Sequence, residues 1–281
     1  MQNLYSDRPI KNILSIDVEE WYQAILFNRN DYRDVEVTNL PQNISQILFF
    51  LDKYNIKATF FIVGLIAKKY PEVIKAIAAE GHEISSHGYL HKLVYKLSRK
   101  EFIEDVALSL DTFKKYFNIE TLGYRAPTWS INKDTPWALE SLKSLGLKYD
   151  SSLIHFSANP LISRGLERFP YEVGDGFFEV PPSTFRLFGY NLPFAGGTFL
   201  RFFSGNFIVS KIKQINKQGY PAMVYFHSWE FGDYITEPSV LKWKYSIQFC
   251  NLSSIREKLS LLFTNFEFCP IRDTLRLKYY A

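Results

Sequence analysis

Cysteine is scarce here: 281 residues hold two, Cys250 and Cys269. Both sit in apolar surroundings, which predicts buried free thiols and argues against a disulfide framework. Charge of one sign is also lacking. Lys and Arg number 33 against 29 Asp and Glu, for a net +4, and no basic run exceeds a few residues, so nothing points to nucleic acid. Long hydrophobic runs are missing too. The longest, near Ala58–Ala67, is too short to cross a bilayer, so no integral membrane segment is expected. Met1–Arg8 has no charged start followed by an apolar stretch. The expected location is therefore cytoplasmic, at most peripheral to a membrane. No repeat, low-complexity tract or linker breaks the chain, and residues 1–281 read as one domain. The oligomeric state is not legible.

Hydrophobic residues are plentiful at 47%, ample for a core. Aromatics reach 17%, and most of them belong in that core, although sugar-binding clefts also use aromatic faces. Histidine is rare, yet two of the five, His87 and His91, lie four residues apart in His87-Gly88-Tyr89-Leu90-His91. On a helix that spacing would place both imidazoles on one face, where they could share a divalent metal. The pair could equally be one core and one surface residue.

Upstream, Asn12-Ile13-Leu14-Ser15-Ile16-Asp17-Val18-Glu19-Glu20-Trp21 is an apolar strand running into three acids. Asp17 and Glu19 fall on the same side of an extended chain. One carboxylate could complete a His–His metal site and another could act as a base. Downstream, Gly123-Tyr124-Arg125-Ala126-Pro127-Thr128-Trp129 sets an Arg and a Trp on a Pro-stiffened loop. Tyr149-Asp150-Ser151-Ser152 puts an acid after a short apolar stretch, and Ala222–Phe226 leads into His227-Ser228-Trp229-Glu230. Each segment alone is weak evidence. Together they share one layout, an apolar strand with polar residues at its C-terminal end, which is where α/β barrels carry chemistry.

Helical and extended periods alternate. Ile44, Ile47, Leu48, Leu51 and Tyr54 repeat at helical spacing, and Ala58–Val63 is a β-type run. Pro71 opens a helix that Gly81 ends. Ser98-Arg99-Lys100-Glu101 reads as a capping box, and Asp134 as the cap of the helix that stops at Gly146. Short strands are expected at 83–86, 121–124, 148–150 and 266–269, with helices at 206–218 and 253–263. From His155 to Ser204, five prolines and six glycines mark about fifty residues of loop and short strand, a candidate substrate-shaping insertion. Alternation of this kind indicates a mostly parallel sheet or barrel.

In these segments the chain resembles the polysaccharide deacetylases, carbohydrate esterase family 4, which carry the NodB homology domain. Gly81-His82-Glu83-Ile84-Ser85-Ser86 also matches the way that family leads into its histidine motif. The D-V-E-E-W start, the R-A-P-T-W-S-I loop, Pro193–Arg201 (P-F-A-G-G-T-F-L-R) and F-H-S-W-E resemble the branch found with exopolysaccharide synthesis loci. The resemblance implies a distorted (β/α) barrel with the 155–204 region as an insertion. It implies a hydrolase that removes acetyl groups from N-acetylated sugars of a polysaccharide or its precursor. In that frame Asp17 is the base, Arg125 orients it, and His87 and His91 are metal ligands. The Thr128 N–H is an oxyanion donor, His227 is the general acid, Asp150 supports His227, and Trp129 and Trp229 line the sugar groove. One divalent metal is expected, Zn²⁺ first, with Mn²⁺, Co²⁺ and Ni²⁺ suited to the same donors.

One departure stands out. The common motif has two adjacent aspartates, the second being the ligand, and Val18 occupies that second place. Strand parity selects Glu19 as the ligand, with Glu20 as its rival. Two other readings stay open: a metal-independent C–N hydrolase of the ureide type on the same fold, and a non-catalytic carbohydrate-binding protein. O-deacetylation is a variant of the first reading.

Overall fold

The computed structural model describes residues 9–23, 39–154, 167–232 and 249–277. Its frame is a curled sheet in the order β10-β1-β2-β3-β4-β5-β7-β6. The first five strands are β1 (Asn12–Val18), β2 (Thr59–Ile62), β3 (Glu83–Ser86), β4 (Gly123–Tyr124) and β5 (Tyr149–Asp150). The others on this path are β6 (Tyr171–Gly174), β7 (Phe177–Glu179) and β10 (Met223–His227). All pair in parallel except β6, which returns antiparallel against β7. A short β11 (Phe268–Cys269) pairs with the start of β1, and β8 (Thr184–Leu187) with β9 (Tyr190–Pro193) forms a separate hairpin.

Strand parity explains the layering. Leu14, Ile16, Val18, Phe60, Ile62, Val224 and Phe226 face outward into the main core. There they meet α1 (Leu40–Lys53), α3 (Pro71–Ala79), α7 (Gly205–Lys217) and α8 (Ser254–Asn265), which contribute Ile44, Ile74, Ile208 and Leu259 among others. The alternate residues Ile13, Phe61, Tyr149 and Met223 form a second, inner cluster. Ser15 and Asp17 share that inward parity. A strand buried on both faces reads as a near-continuous apolar run, which is why Ala58–Val63 shows no alternation.

The expected elements recur with shifted ends. The helix α4 (Arg99–Phe117) starts at the Ser98–Glu101 capping box, with both reciprocal bonds present. Asp134 does not cap α5 (Trp137–Ser144). That helix starts behind Pro136, and Asp134 donates its N–H to Asn132 Oδ1 instead. Residues 155–166 of the expected insertion lie outside the described residues. The rest is only partly an insertion: β7 is a strand of the main sheet, and Ala195–Gly196 pairs alongside β10. Both cysteines are free, but Cys250 is exposed rather than buried, and only Cys269 meets that expectation. No helix among the described residues is long and apolar enough to cross a membrane.

Candidate metal and hydrolytic centre

Register places the candidate residues at one level. Asp17 pairs with His227 on β10 and with Phe61 on β2; Ser86 pairs with Tyr124, Tyr124 with Asp150, and Asp150 with Glu179. The residues just beyond these strand ends (Glu19, His87, Arg125, Ser151) therefore gather at the C-terminal mouth of the sheet.

His87 and His91 do converge, but not on a helix. The chain turns through left-handed backbone at Gly88 (φ 74°) and His91 (φ 56°), and the two rings end 5.0 Å apart, edge to face. Asp105 on α4 anchors this loop by accepting the N–H groups of Tyr89 (2.7 Å) and Leu90 (3.2 Å). A side chain at Gly88 would put its Cβ 2.9 Å from the Asp105 carboxylate, so the turn needs glycine on both counts.

Glu19 completes the cluster. One donor atom from each of Glu19, His87 and His91 lies within 4.8 Å of the other two, and all three residues are buried. Glu19 Oε2 is 3.6 Å from His87 Nε2 and 2.6 Å from His91 Nε2. The donors suit a divalent ion. His87 Nδ1 lies 2.8 Å from the Arg125 carbonyl, so it carries the proton and leaves Nε2 as a bare lone pair. His91 Nε2 is buried and makes no directed hydrogen bond despite its closeness to the carboxylate. Burial alone would raise the pKa of Glu19, but the imidazoles of His91, His227 and His87 hold it well below the ordinary carboxylate range. Glu20 is not part of this cluster; it is buried, and desolvation pushes its carboxyl up to about 7.

Arg125 fills the inside of the sheet. Its guanidinium donates to Asp17 Oδ1 (2.6 Å), Ser15 Oγ (3.0 Å), Ser151 Oγ (2.9 Å) and the Ser151 carbonyl (3.3 Å), and it lies 4.1 Å from the Phe61 ring centroid. The loop after it carries two successive non-glycine residues at φ 56°, Thr128 and Trp129. The Thr128 N–H finds no acceptor among the described residues, as an oxyanion donor would require. Trp129 is half-buried against Tyr225 and Arg125.

On the other side of the mouth, His227 turns Nε2 toward Glu19 Oε1 at 3.8 Å. Burial works against its charge, but the carboxylates of Glu230, Glu19 and Asp17 carry its pKa up to about 9. Two expectations change here. Asp150 is not the partner of His227. Nδ1 lies 2.8 Å from Glu230 Oε2, while Asp150 accepts from Ser152 (Oγ 2.5 Å, N 3.2 Å) and sits across the β5–β7 pairing from Glu179. Trp229 does not present a face to a groove. It is 6% exposed, stacks on His227, and donates Nε1–H to Glu19 Oε1 at 3.2 Å. Sequence reasoning missed Glu230, Asp105 and Arg201, although Glu230 follows His227 by three residues, a helical-turn spacing.

Residues 24–149 match the family model for polysaccharide deacetylase. This segment, a little under half of the chain, is therefore similar to the polysaccharide deacetylase family. Residues 151–276 match a domain of unknown function (DUF3473), and strands from both matched segments share the one sheet. A peptidoglycan deacetylase of Helicobacter pylori is 34% identical over 43% of this chain and 40% of its own length. A peptidoglycan-N-acetylglucosamine deacetylase of Bacillus cereus is 32% identical over 34% of this chain and 35% of its own. The chain thus spans well under half the length of these curated relatives. Among solved structures, a Mycobacterium smegmatis protein carrying the polysaccharide deacetylase name superposes with a TM-score of 0.62 at 20% identity, covering 98% of this chain and 95% of that one. A carbohydrate esterase family 4 pseudoenzyme of Bacillus anthracis gives 0.52 at 14% identity, covering 95% and 66%. These two likenesses establish the polysaccharide deacetylase fold, a mixed α/β half-barrel, and nothing finer.

Proposed function

We propose that this protein hydrolyses the acetamide of N-acetylated sugars in a polysaccharide or its precursor, with residues 1–281 acting as one catalytic unit. The observation that carries this is the convergence, at one strand level, of the Glu19–His87–His91 cluster, the Asp17–Arg125 pair and the Nε2 edge of His227. Glu19, His87 and His91 would hold one divalent ion, Zn²⁺ by preference, which supplies Lewis-acid polarisation of the acetyl carbonyl and of water. Asp17, held 2.6 Å from the Arg125 guanidinium, takes a proton from the attacking water as its oxygen bonds to the acetyl carbon. The Thr128 N–H meets the charge that develops on the carbonyl oxygen. The C–N bond then breaks as the sugar nitrogen takes a proton from His227. The products leave as acetate and the protonated amine, and the proton taken up by Asp17 replaces, through solvent, the one His227 gave. Trp129 offers the sugar an aromatic surface at the mouth.

The P-F-A-G-G-T-F-L-R and F-H-S-W-E segments favour the exopolysaccharide branch, while the relatives named for peptidoglycan favour a cell-wall glycan; both are N-acetylated polymers. The test combines metal analysis with acetate release from N-acetylglucosamine oligomers. One metal per chain is expected in the wild type and in Glu20→Gln, with loss in Glu19→Ala and His87→Ala and no acetate from either depleted variant. A wild type without metal after Zn²⁺ soaking, or acetate release that survives chelation, would sink this reading.

A further inference from the structure

The matched domain of unknown function holds a buried chain of charged groups that ends on His227. Glu230 Oε2 accepts from both the ring Nδ1 and the backbone N–H of His227, each at 2.8 Å. Its other oxygen, Oε1, accepts from Arg201 Nε at 2.7 Å. Arg201 is wholly buried on α6 (Gly197–Phe202), where it also donates to the Cys250 carbonyl at 2.5 Å and to Thr198 Oγ1 at 3.3 Å. With both oxygens engaged, the Glu230 carboxylate cannot rotate. An Nδ1–H donated to it fixes the tautomer and aims Nε2 at the mouth. The segment before Arg201 is built for this approach. A Cβ at Gly196 would fall 1.9 Å from the Tyr225 ring, and one at Gly197, where φ is +50°, would fall 3.3 Å from His227 Cε1. Only glycines let this strand run beside β10 and bring Arg201 under Glu230.

Asp150 is committed elsewhere. It accepts from Ser152 Oγ, which in turn accepts the Ala126 N–H at 2.7 Å, so Asp150 braces the Arg125–Trp129 loop.

We propose that Glu230, clamped by Arg201, is the positioning residue for His227 in proton delivery to the leaving nitrogen, in place of Asp150, and that the domain of unknown function completes the hydrolytic centre by supplying Arg201, His227 and Glu230. The catalytic half of this rests on the deacetylase reading; the pairing does not.

The experiment uses leaving-group dependence. An acetamide nitrogen needs a proton to depart, whereas 4-nitrophenolate does not. Glu230→Gln should lower kcat on N-acetylglucosamine oligomers by about 100-fold with KM within about twofold, and leave 4-nitrophenyl acetate hydrolysis within about threefold. Glu230→Asp, which keeps the charge, should recover part of the loss and also serves if the Gln variant fails to fold. Proton NMR of the unloaded protein should show a low-field imidazole N–H in the wild type and in Asp150→Asn, absent in Glu230→Gln. Equal losses on both substrates, or none on the oligomer, overturn the positioning role. A low-field signal lost in Asp150→Asn and kept in Glu230→Gln overturns the pairing. A wild type inactive on both substrates overturns the deacetylase reading and the catalytic half with it, and the NMR signal then decides the pairing alone.

Discussion

Arg125 shows how much one side chain can carry. Its guanidinium is wholly buried and joins Ser15 and Asp17 of β1 to Ser151 beyond β5. Removing one member of a buried ion pair leaves an uncompensated charge, which costs about 3–5 kcal/mol. Arg125→Met should therefore lower unfolding stability by that amount in urea titrations. The double variant with Asp17→Asn should recover part of it, because the stranded charge is gone. A simple loss of packing would predict no recovery. The sequence announced Arg125 as a loop residue of interest, but not its reach. A charged residue flanked by Tyr124 and Ala126 reads as a surface charge until strands distant in sequence supply its partners. That Glu19 rather than Glu20 would point at the two imidazoles was anticipated from strand parity, and Glu19, one residue past the end of β1, is the acid that clusters with His87 and His91. The family resemblance set Asp150 behind His227, whereas the residue in hydrogen-bond reach of its Nδ1 is Glu230, whose three-residue spacing from His227 was legible in the chain.

Among the elements, the loop from His87 to His91 is the most exacting. Its imidazoles meet through two left-handed residues and the Asp105 anchor on α4, not through helical periodicity. Gly88→Ala would combine an unfavourable φ of 74° with a Cβ 2.9 Å from Asp105. Supporting groups around metal ligands commonly carry 10–100-fold in affinity, so Gly88→Ala should weaken metal binding by about that range in competitive chelator titrations. Unchanged affinity would mean the loop is held by its ligands rather than by Asp105. The capping box at Ser98 and Glu101 was legible because it depends on residues three apart. The cap assigned to Asp134 failed because Pro136 moved the start of α5, and a lone Asp before a helix also suits the turn that Asn132 makes.

For the whole molecule, the buried carboxyl pair of Asp150 and Glu179 links strand β5, at the boundary between the two matched segments, to β7 in the second. Desolvation raises both, Asp150 to about 6 and Glu179 well above the ordinary range, so the fold keeps a proton that the unfolded chain releases. Their contribution to stability is then complete below the ordinary carboxyl range and is lost as pH rises through about 6 and beyond. Glu179→Gln should gain stability relative to the wild type between about pH 4 and 7, read from urea midpoints across that range. A difference independent of pH would mean that the fold does not hold the Glu179 carboxyl protonated. By itself, the sequence determined the strand–helix alternation, the parity that sends Asp17 and Glu19 inward, and the set of chemically competent residues, because each of these depends on neighbours a few positions apart. The tertiary structure alone decided which of those residues meet: Glu230 and not Asp150 under His227, Trp229 on Glu19 and not in a groove, β7 inside the sheet and not in a loop. Such pairings are set by the curl of a parallel sheet, which brings strand ends together across hundreds of residues and leaves no periodic trace in the chain.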